Sequence, residues 1–544
     1  FGSVDVSAAT LASIERIDSL QSNQTLTMAG AQFGGSGISD SALFLSNGTG
    51  FKLVVNEASN FSAAGWQFIG WDTTDSININ GTTGNDTLTG SSQADDIQGL
   101  GGNDTILGGG GDDNLRGGSG SDILDGGEGN DVIHYGFLDS ALGDTIDGGA
   151  GVDTISVEGN NSDLYRVSIT GVERLAFDTT SSAGVWLSND NVGSGQINTF
   201  IGSAFFDQVS VRVTSLSGGT ADLGTAAFQN WGPNDSIELI GSNANDVLIG
   251  SVVDDVIFGS LGADTMQGGA GNDRFSFNTG NVTSGESIDG GSGSDDLLIF
   301  GNNDFRLAAL NSIESLSFGG SAIPATVTFS STQIGAGLSS NASVGGNGGA
   351  NAINISMDVP GTLDIGGWTF SNWSSNDSIF MGGSVSADTL IGSSQADEIQ
   401  GNFGNDILIG GDGDDQLAGQ YDVDTLTGGA GVDTFAGSVT DWNGDRITDY
   451  EYGEKIMVAF GSASLSDYRL RTTATDSFID IDGNGDGAFD STIVLSGQVH
   501  GTLTVIAAAD PNYAQLVITP NTAPAITSNG AGDTAQISIA ENTT

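Results

Sequence analysis

Residues 81–134 read GTTGNDTLT GSSQADDIQ GLGGNDTIL GGGGDDNLR GGSGSDILD GGEGNDVIH, six nonapeptides in one phase. Aspartate holds the sixth position throughout, as Asp86, Asp95, Asp104, Asp113, Asp122 and Asp131. Leucine or isoleucine holds the eighth, as Leu88, Ile97, Ile106, Leu115, Leu124 and Ile133. Two further blocks keep the same phase, one with Asp246, Asp255, Asp264 and Asp273, the other with Asp388, Asp397, Asp406, Asp415, Asp424 and Asp433. A Gly/Asp-rich linker has no reason to hold aspartate and leucine in register over so many units. The first six residues of each unit accept tight turns and positive φ. The last three make a short strand with one apolar residue pointing inward. One unit cannot bury that residue alone. Two units, with a turn and a strand on each side, close a coil of eighteen residues, and stacked coils bury a thin Leu/Ile ladder. The expected fold is all-β: a right-handed parallel β-roll or β-solenoid, with three nonapeptide blocks separated by wider β spacers.

Stacking places residues eighteen apart over one another, Asp86 over Asp104 over Asp122, and Asp95 over Asp113 over Asp131. Coils about 4.8 Å apart would crowd these like charges. A hard cation between turns removes the conflict, and calcium takes about 6–8 oxygens from carboxylates and backbone carbonyls. Pairs eighteen apart number four in the first block, two in the second and four in the third, which predicts about ten calcium ions or more. The blocks also end alike: Asp131 is followed by Asp144 and Asp153, Asp273 by Glu286 and Asp295, and Asp433 by Asp445 and Glu454. Each end reads as a bulge of four residues, three in the last block, before a final pair of coils. Asp144, Asp153 and Asp295 therefore join the candidate metal ligands. Another candidate is DIDGNGDGAFD, with Asp480, Asp482, Asn484, Asp486 and Asp490. Alternating oxygen ligands before Gly487 resemble the front of an EF-hand loop. No Glu stands at position twelve, where Ile493 sits. The expectation is a calcium loop embedded in β structure, with a solvated acidic turn as the alternative.

The nonapeptides resemble the repeats-in-toxin (RTX) family, the hemolysin-type calcium-binding repeat. The resemblance implies a calcium-filled roll in a protein exported by type I secretion to the bacterial surface or beyond it. RTX repeats also follow lipases, proteases and alginate epimerases. DRITDYEYGEKI, residues 445–456, is similar to the segment that closes such rolls.

Charge supports the same compartment. The chain has 68 Asp+Glu against 12 Lys+Arg, a formal net charge of −56. Nothing basic is available to neutralise phosphate, so nucleic acid is excluded as a natural partner, and an anionic membrane surface is disfavoured. Without metal the chain repels itself. Ten calcium ions would cancel about twenty charges, so folding and metal binding are expected to be one event. There is no cysteine among the 544 residues, so no disulfide framework holds the chain. Millimolar calcium, an extracellular condition, suits the weaker classes of calcium site. No apolar stretch of about 20 residues exists, so no transmembrane segment is expected.

A larger repeat encloses the nonapeptides. Each block follows a Trp and an Asp: Trp71 and Asp75, Trp231 and Asp235, Trp373 and Asp377. Farther upstream stands an apolar–Glu pair: Ile14-Glu15, Val172-Glu173, Ile313-Glu314. The modules are 1–158, 159–300 and 301–455, each a spacer plus a block, followed by a β capping region with the acidic loop at 456–520. Residues 521–544 resemble the opening strand of a cadherin-like repeat. Residues 1–15, FGSVDVSAATLASIE, align without a gap to FGNNDFRLAALNSIE at 300–314. Phe300 ends a block, so Phe1 is expected to end one too, and the array to extend upstream. The spacers alternate or are β-branched, as in VSVRVTSL and INISMDV, and read as wider coils of the same solenoid. Separate β-sandwiches are the alternative. Only Leu11–Leu20 carries a weak helical period. Trp66, Phe68, Phe228, Trp368 and Phe370 are expected in the core.

Catalysis finds little support. His134 and His500 stand in unrelated settings, and neither HExxH nor GxSxG occurs. The expectation is a non-enzymatic, extracellular, calcium-stiffened structural protein that builds a surface layer, filament or matrix with copies of itself or neighbouring repeats. The alternatives are the stalk of an adhesin with a glycan ligand, and the non-catalytic module of a secreted enzyme.

Overall fold

The structure, a computed structural model, describes residues 2–19, 21–34, 37–136, 143–159, 162–177, 182–193, 195–459, 465–497, 499–507 and 512–520. The cadherin-like segment 521–544 and Phe1 lie outside the described residues. The chain divides into two units, Phe1–Asn303 with Leu307–Ser315, and Asp304–Arg306 with the chain from Leu316.

In the first unit the nonapeptide phase becomes a coil of eighteen residues. Ile97 pairs with Leu115 and Leu115 with Ile133 on one side of the roll. Leu88 pairs with Ile106 and Ile106 with Leu124 on the other. All these ladders are parallel, and all six side chains are buried. The strands are short because glycine turns cut them off after one inward residue. Gly118, at φ 97°, lies near the end of such a strand, Asn114–Ser119, and a β-carbon there would stand 2.3 Å from the Leu100 carbonyl oxygen.

The spacers continue the solenoid as wider coils. Parallel pairing runs from Ser3–Asp5 through Thr25–Ala29, Lys52–Asn56 and Ser76–Asn80 into the first block, as one eleven-stranded sheet ending at Ala227–Gln229. Spacer partners lie farther apart in sequence, Lys52 opposite Ser76 and Gln208 opposite Ser236, against the eighteen residues of a block coil. The extra length encloses a thicker core. Phe44 stacks on Phe68 at 5.8 Å and Phe200 on Phe228 at 5.3 Å, and Trp66 is buried among Phe33, Phe44 and Phe61. In the second unit Trp368 is buried likewise, whereas Phe370, beside Trp373, is only half-buried, as are Phe68 and Phe228 of the first. The weak helical period near Leu11–Leu20 is overturned. Ile14–Ser19 is a strand parallel to Ile38–Ser46, because inward apolar residues of a neighbouring coil outweigh local propensity.

The second unit repeats the spacer and block arrangement and then changes hand of pairing. Lys455–Ala459 runs antiparallel to Tyr513–Pro520, which pairs antiparallel with Gly501–Ala507. On the opposite side Ser491–Ser496 lies parallel to Arg446–Ile447 and antiparallel to Asp476–Ile481, which pairs with Tyr468–Thr472. Antiparallel hairpins laid over the last parallel coil cover its open edge.

Candidate metal centre

Each nonapeptide turn aims its sixth-position aspartate inward, and the carboxylates link successive coils. The backbone N–H of Asp95 donates to Asp113 Oδ1 at 2.7 Å, and that of Asp113 to Asp131 Oδ1 at 2.8 Å. On the facing row Asp86 donates to Asp104 at 2.7 Å and Asp104 to Asp122 at 2.8 Å. The second block gives Asp246 to Asp264 and Asp255 to Asp273 at 2.8 and 2.9 Å. The third gives Asp388 to Asp406, Asp397 to Asp415, Asp406 to Asp424 and Asp415 to Asp433, at 2.8–2.9 Å. The bulges do not break the rows. Asp122 reaches Asp144, Asp131 reaches Asp153, Asp273 reaches Asp295 and Asp424 reaches Asp445, at 2.7–2.9 Å.

One oxygen of each accepting carboxylate is thus occupied by an amide of the preceding coil. The fate of the other depends on the turn. Where a block begins, Ser or Thr stands four residues before the aspartate and its N–H donates to Oδ2 at 2.6 Å. This holds for Thr82 and Asp86, Ser91 and Asp95, Ser242 and Asp246, Ser251 and Asp255, Ser384 and Asp388, and Ser393 and Asp397. Deeper in each block Oδ2 is buried with no hydrogen-bond partner, at Asp104, Asp113, Asp131, Asp153, Asp264, Asp273, Asp295, Asp406, Asp415, Asp424 and Asp433, and at Asp95 and Asp255 it is Oδ1 that is left so. Tyr135 supplies a hydroxyl to Asp144 Oδ2 at 3.1 Å. Beside these oxygens lie carbonyls of the next coil: a β-carbon on Gly108 would stand 2.4 Å from Asp113 Oδ2 and 2.5 Å from Gly126 O. Only glycine leaves this oxygen-lined space open.

Buried, unpartnered anionic oxygens are costly, and the acidities register that cost. Burial, with Asp95 and Asp131 nearby, pushes Asp113 up to about 9. Burial above all lifts Asp415 and Asp445 to about 8 and Asp273 to about 7. Among the described residues no cluster of three or more acidic or imidazole side chains could hold a metal ion by itself. A cation at these levels must therefore draw on backbone carbonyls as well as carboxylates. Such an all-oxygen set suits calcium, and the residues fit that ion.

Several side chains fall outside the sequence pattern. Glu173 and Glu314, noted in the sequence only as module landmarks, accept the amides of Asp153 and Asp295, each at 2.9 Å. Glu286 and Glu454 are buried in the rows, and burial raises both to about 8. Asp75, Asp235 and Asp377 repeat the coil-to-coil amide contact inside the spacers, with Oδ2 accepting an N–H of their own turn at 3.0, 2.6 and 2.6 Å. Asp480 is a correction to the proposed loop ligands. It sits on the strand Asp476–Ile481, where its carboxylate takes guanidinium contacts from Arg469 and Arg471 at 2.6–3.1 Å and the Thr492 hydroxyl at 2.9 Å. Asp482, Asn484, Asp486 and Asp490 do share one loop. Asp482 accepts the amides of Gly485 and Gly487, each at 2.7 Å, and Asp490 that of Gly483 at 2.9 Å. His134 points outward and meets Glu158 at 2.9 Å, beside Arg116.

A family model described as "RTX calcium-binding nonapeptide repeat (4 copies)" matches residues 78–106, 107–138, 143–163, 240–275, 249–283, 382–417 and 409–439. No curated protein matches the chain. Repeats of this family bind calcium and are typical of extracellular proteins exported by type I secretion. Among the described residues no helix is long and apolar enough to cross a membrane. The matched segments fall on the three coil blocks whose turns carry the aspartate rows, so those blocks are RTX-type calcium-binding repeats.

Proposed function

We propose that this chain is an extracellular structural repeat of a bacterial cell surface, stiffened by calcium and built into a layer, filament or matrix through association with copies of itself or neighbouring repeats. The aspartate rows Asp86–Asp153, Asp246–Asp295 and Asp388–Asp433 hold about ten calcium ions, and Asp482, Asn484, Asp486 and Asp490 hold one more in the loop. The observation that carries the reading is the row of buried carboxylate oxygens without partners. A chain of net charge −56 tolerates such rows only when they are neutralised. The reading assigns no catalytic role to any residue of the chain.

Electron microscopy and light scattering of the purified chain, with calcium and after chelator, test this. Ordered assemblies that form with calcium and dissolve with chelator are expected. A second reading, an adhesin stalk, is favoured by Phe403 and Tyr421, whose rings stack at 4.5 Å on a turn edge while each remains about half exposed. A chain that stays monomeric in calcium but is retained on immobilised glycans supports the stalk. Turnover of a polysaccharide or lipid by the repurified chain contradicts both.

A further inference from the structure

The aspartate rows do not stop where the nonapeptides stop. Asp153 is the last row aspartate of the first block and Asp295 of the second. At earlier levels the aspartate N–H donates to a carboxylate one coil on. Here it donates to Glu173 Oε2 and to Glu314 Oε2, each at 2.9 Å. Asp153 and Asp295 are fully buried, and Oδ2 of each has no hydrogen-bond partner.

The oxygen-lined space recurs as well. A β-carbon on Gly148 would stand 2.1 Å from Gly171 O and 2.8 Å from Asp153 Oδ2. On Gly290 it would stand 2.0 Å from Ser312 O and 2.5 Å from Asp295 Oδ2. What changes is the turn. Gly126 is five residues from Asp131, whereas Gly171 and Ser312 are two from Glu173 and Glu314. Positive φ at Gly171 and Ser312, 62° and 52°, makes the short turn, and the extra methylene of Glu covers the distance. Glu173, Asp295 and Glu314 all lie outside the segments that match the repeat family.

We propose that Asp153 with Glu173, and Asp295 with Glu314, each hold one further calcium ion, closing the cation row at the last coil of the first and second blocks. The inference rests on the reading of the aspartate rows as calcium ligands. A pair of carboxylates one coil apart carries two negative charges, which one divalent cation neutralises. A glutamate that only capped the amide would leave the buried Asp153 or Asp295 oxygen unpartnered. The short turn supplies fewer backbone carbonyls, so these ions are the weakest of their rows and the last to fill.

Glu173→Gln and Glu314→Gln in the full chain test this, with bound calcium counted by native mass spectrometry and equilibrium dialysis. Glutamine keeps an oxygen for the amide and removes the charge. The count is expected to fall by one ion in each variant and by two in the double variant. Asp104→Asn is measured beside them. An unchanged count in both glutamine variants with a lower count in Asp104→Asn overturns the terminal sites and leaves the rows standing. Unchanged counts in all three overturn both. A terbium anomalous-difference map of the unsubstituted chain needs no variant. Peaks between Asp153 and Glu173 and between Asp295 and Glu314 are expected, and peaks confined to the earlier levels overturn the proposal.

Discussion

At the scale of the residue, the two oxygens of one carboxylate have separate tasks. In Asp104, Oδ1 accepts the amide of Asp86 at 2.7 Å while Oδ2 is buried without a partner. In Asp86, Oδ2 is already held by the Thr82 amide at 2.6 Å. Asp104→Ala strands a buried amide, which costs about 1–3 kcal/mol, and removes a ligand facing both neighbouring levels. It is expected to raise the calcium concentration for half-folding, read by circular dichroism, more than Asp86→Ala; equal shifts would contradict the assignment. The acidities add a pH dependence. These carboxyls titrate near 3.8 when unperturbed, whereas burial raises Asp104 to about 6 and Asp113 to about 9 in the metal-free fold. The folded state then binds more protons than the unfolded chain, so the stability they contribute is complete below about 4 and is lost as pH rises through about 6–9. Metal-free chain is expected to keep more β signal at pH 5 than at pH 8, and calcium affinity to fall as protons compete at pH 5. A metal-free β signal that grows from pH 5 to pH 8 would contradict this. The aspartate rows were legible because a side chain repeating every eighteen residues must return to the same edge. Glu173 and Glu314 were not, since they lie 20 and 19 residues beyond their aspartates at the end of a shortened turn. Asp480 was misread because nearness to Asp482 hides that it lies on a strand facing Arg469 and Arg471.

At the scale of the element, block coils and spacer coils solve the same problem differently. Both link coils through an aspartate and an amide, but the spacer aspartates satisfy their second oxygen within their own turn. Asp235 accepts Asp207 N–H at 2.9 Å and Gly232 N–H at 2.6 Å. Asp235→Ala is therefore expected to leave the calcium count unchanged while destabilising the chain by about 1–3 kcal/mol through lost amide acceptors. Native mass spectrometry and thermal melting in saturating calcium read the two effects, and a lost ion would contradict the distinction. That spacers continue the solenoid was legible in their β-branched alternation; of the aromatic core candidates Trp66 and Trp368 are buried, whereas Phe68, Phe228 and Phe370 are half-buried. The strand Ile14–Ser19 was hidden because only its partner Ile38–Ser46, one wide coil away, fixes its conformation. The antiparallel hairpins after Lys455 follow no repeat, so nothing in the period announced their pairing.

At the scale of the whole molecule, charge and fold depend on one another. A net charge of −56 opposes compaction, and no disulfide offsets it, since the chain has no cysteine. The Leu/Ile ladder is thin, one inward residue per strand, and glycine turns weaken the chain's own preference for order. In the proposed reading calcium supplies both neutralisation and cross-linking between coils, so its binding free energy is folding free energy. The most direct test is far-ultraviolet circular dichroism of the full chain at pH 8 and low ionic strength, recorded across a calcium titration and after excess chelator. Little β signal is expected without calcium, with a cooperative rise as about ten ions bind and reversal by chelator. A spectrum and melting temperature that chelator leaves unchanged would contradict this.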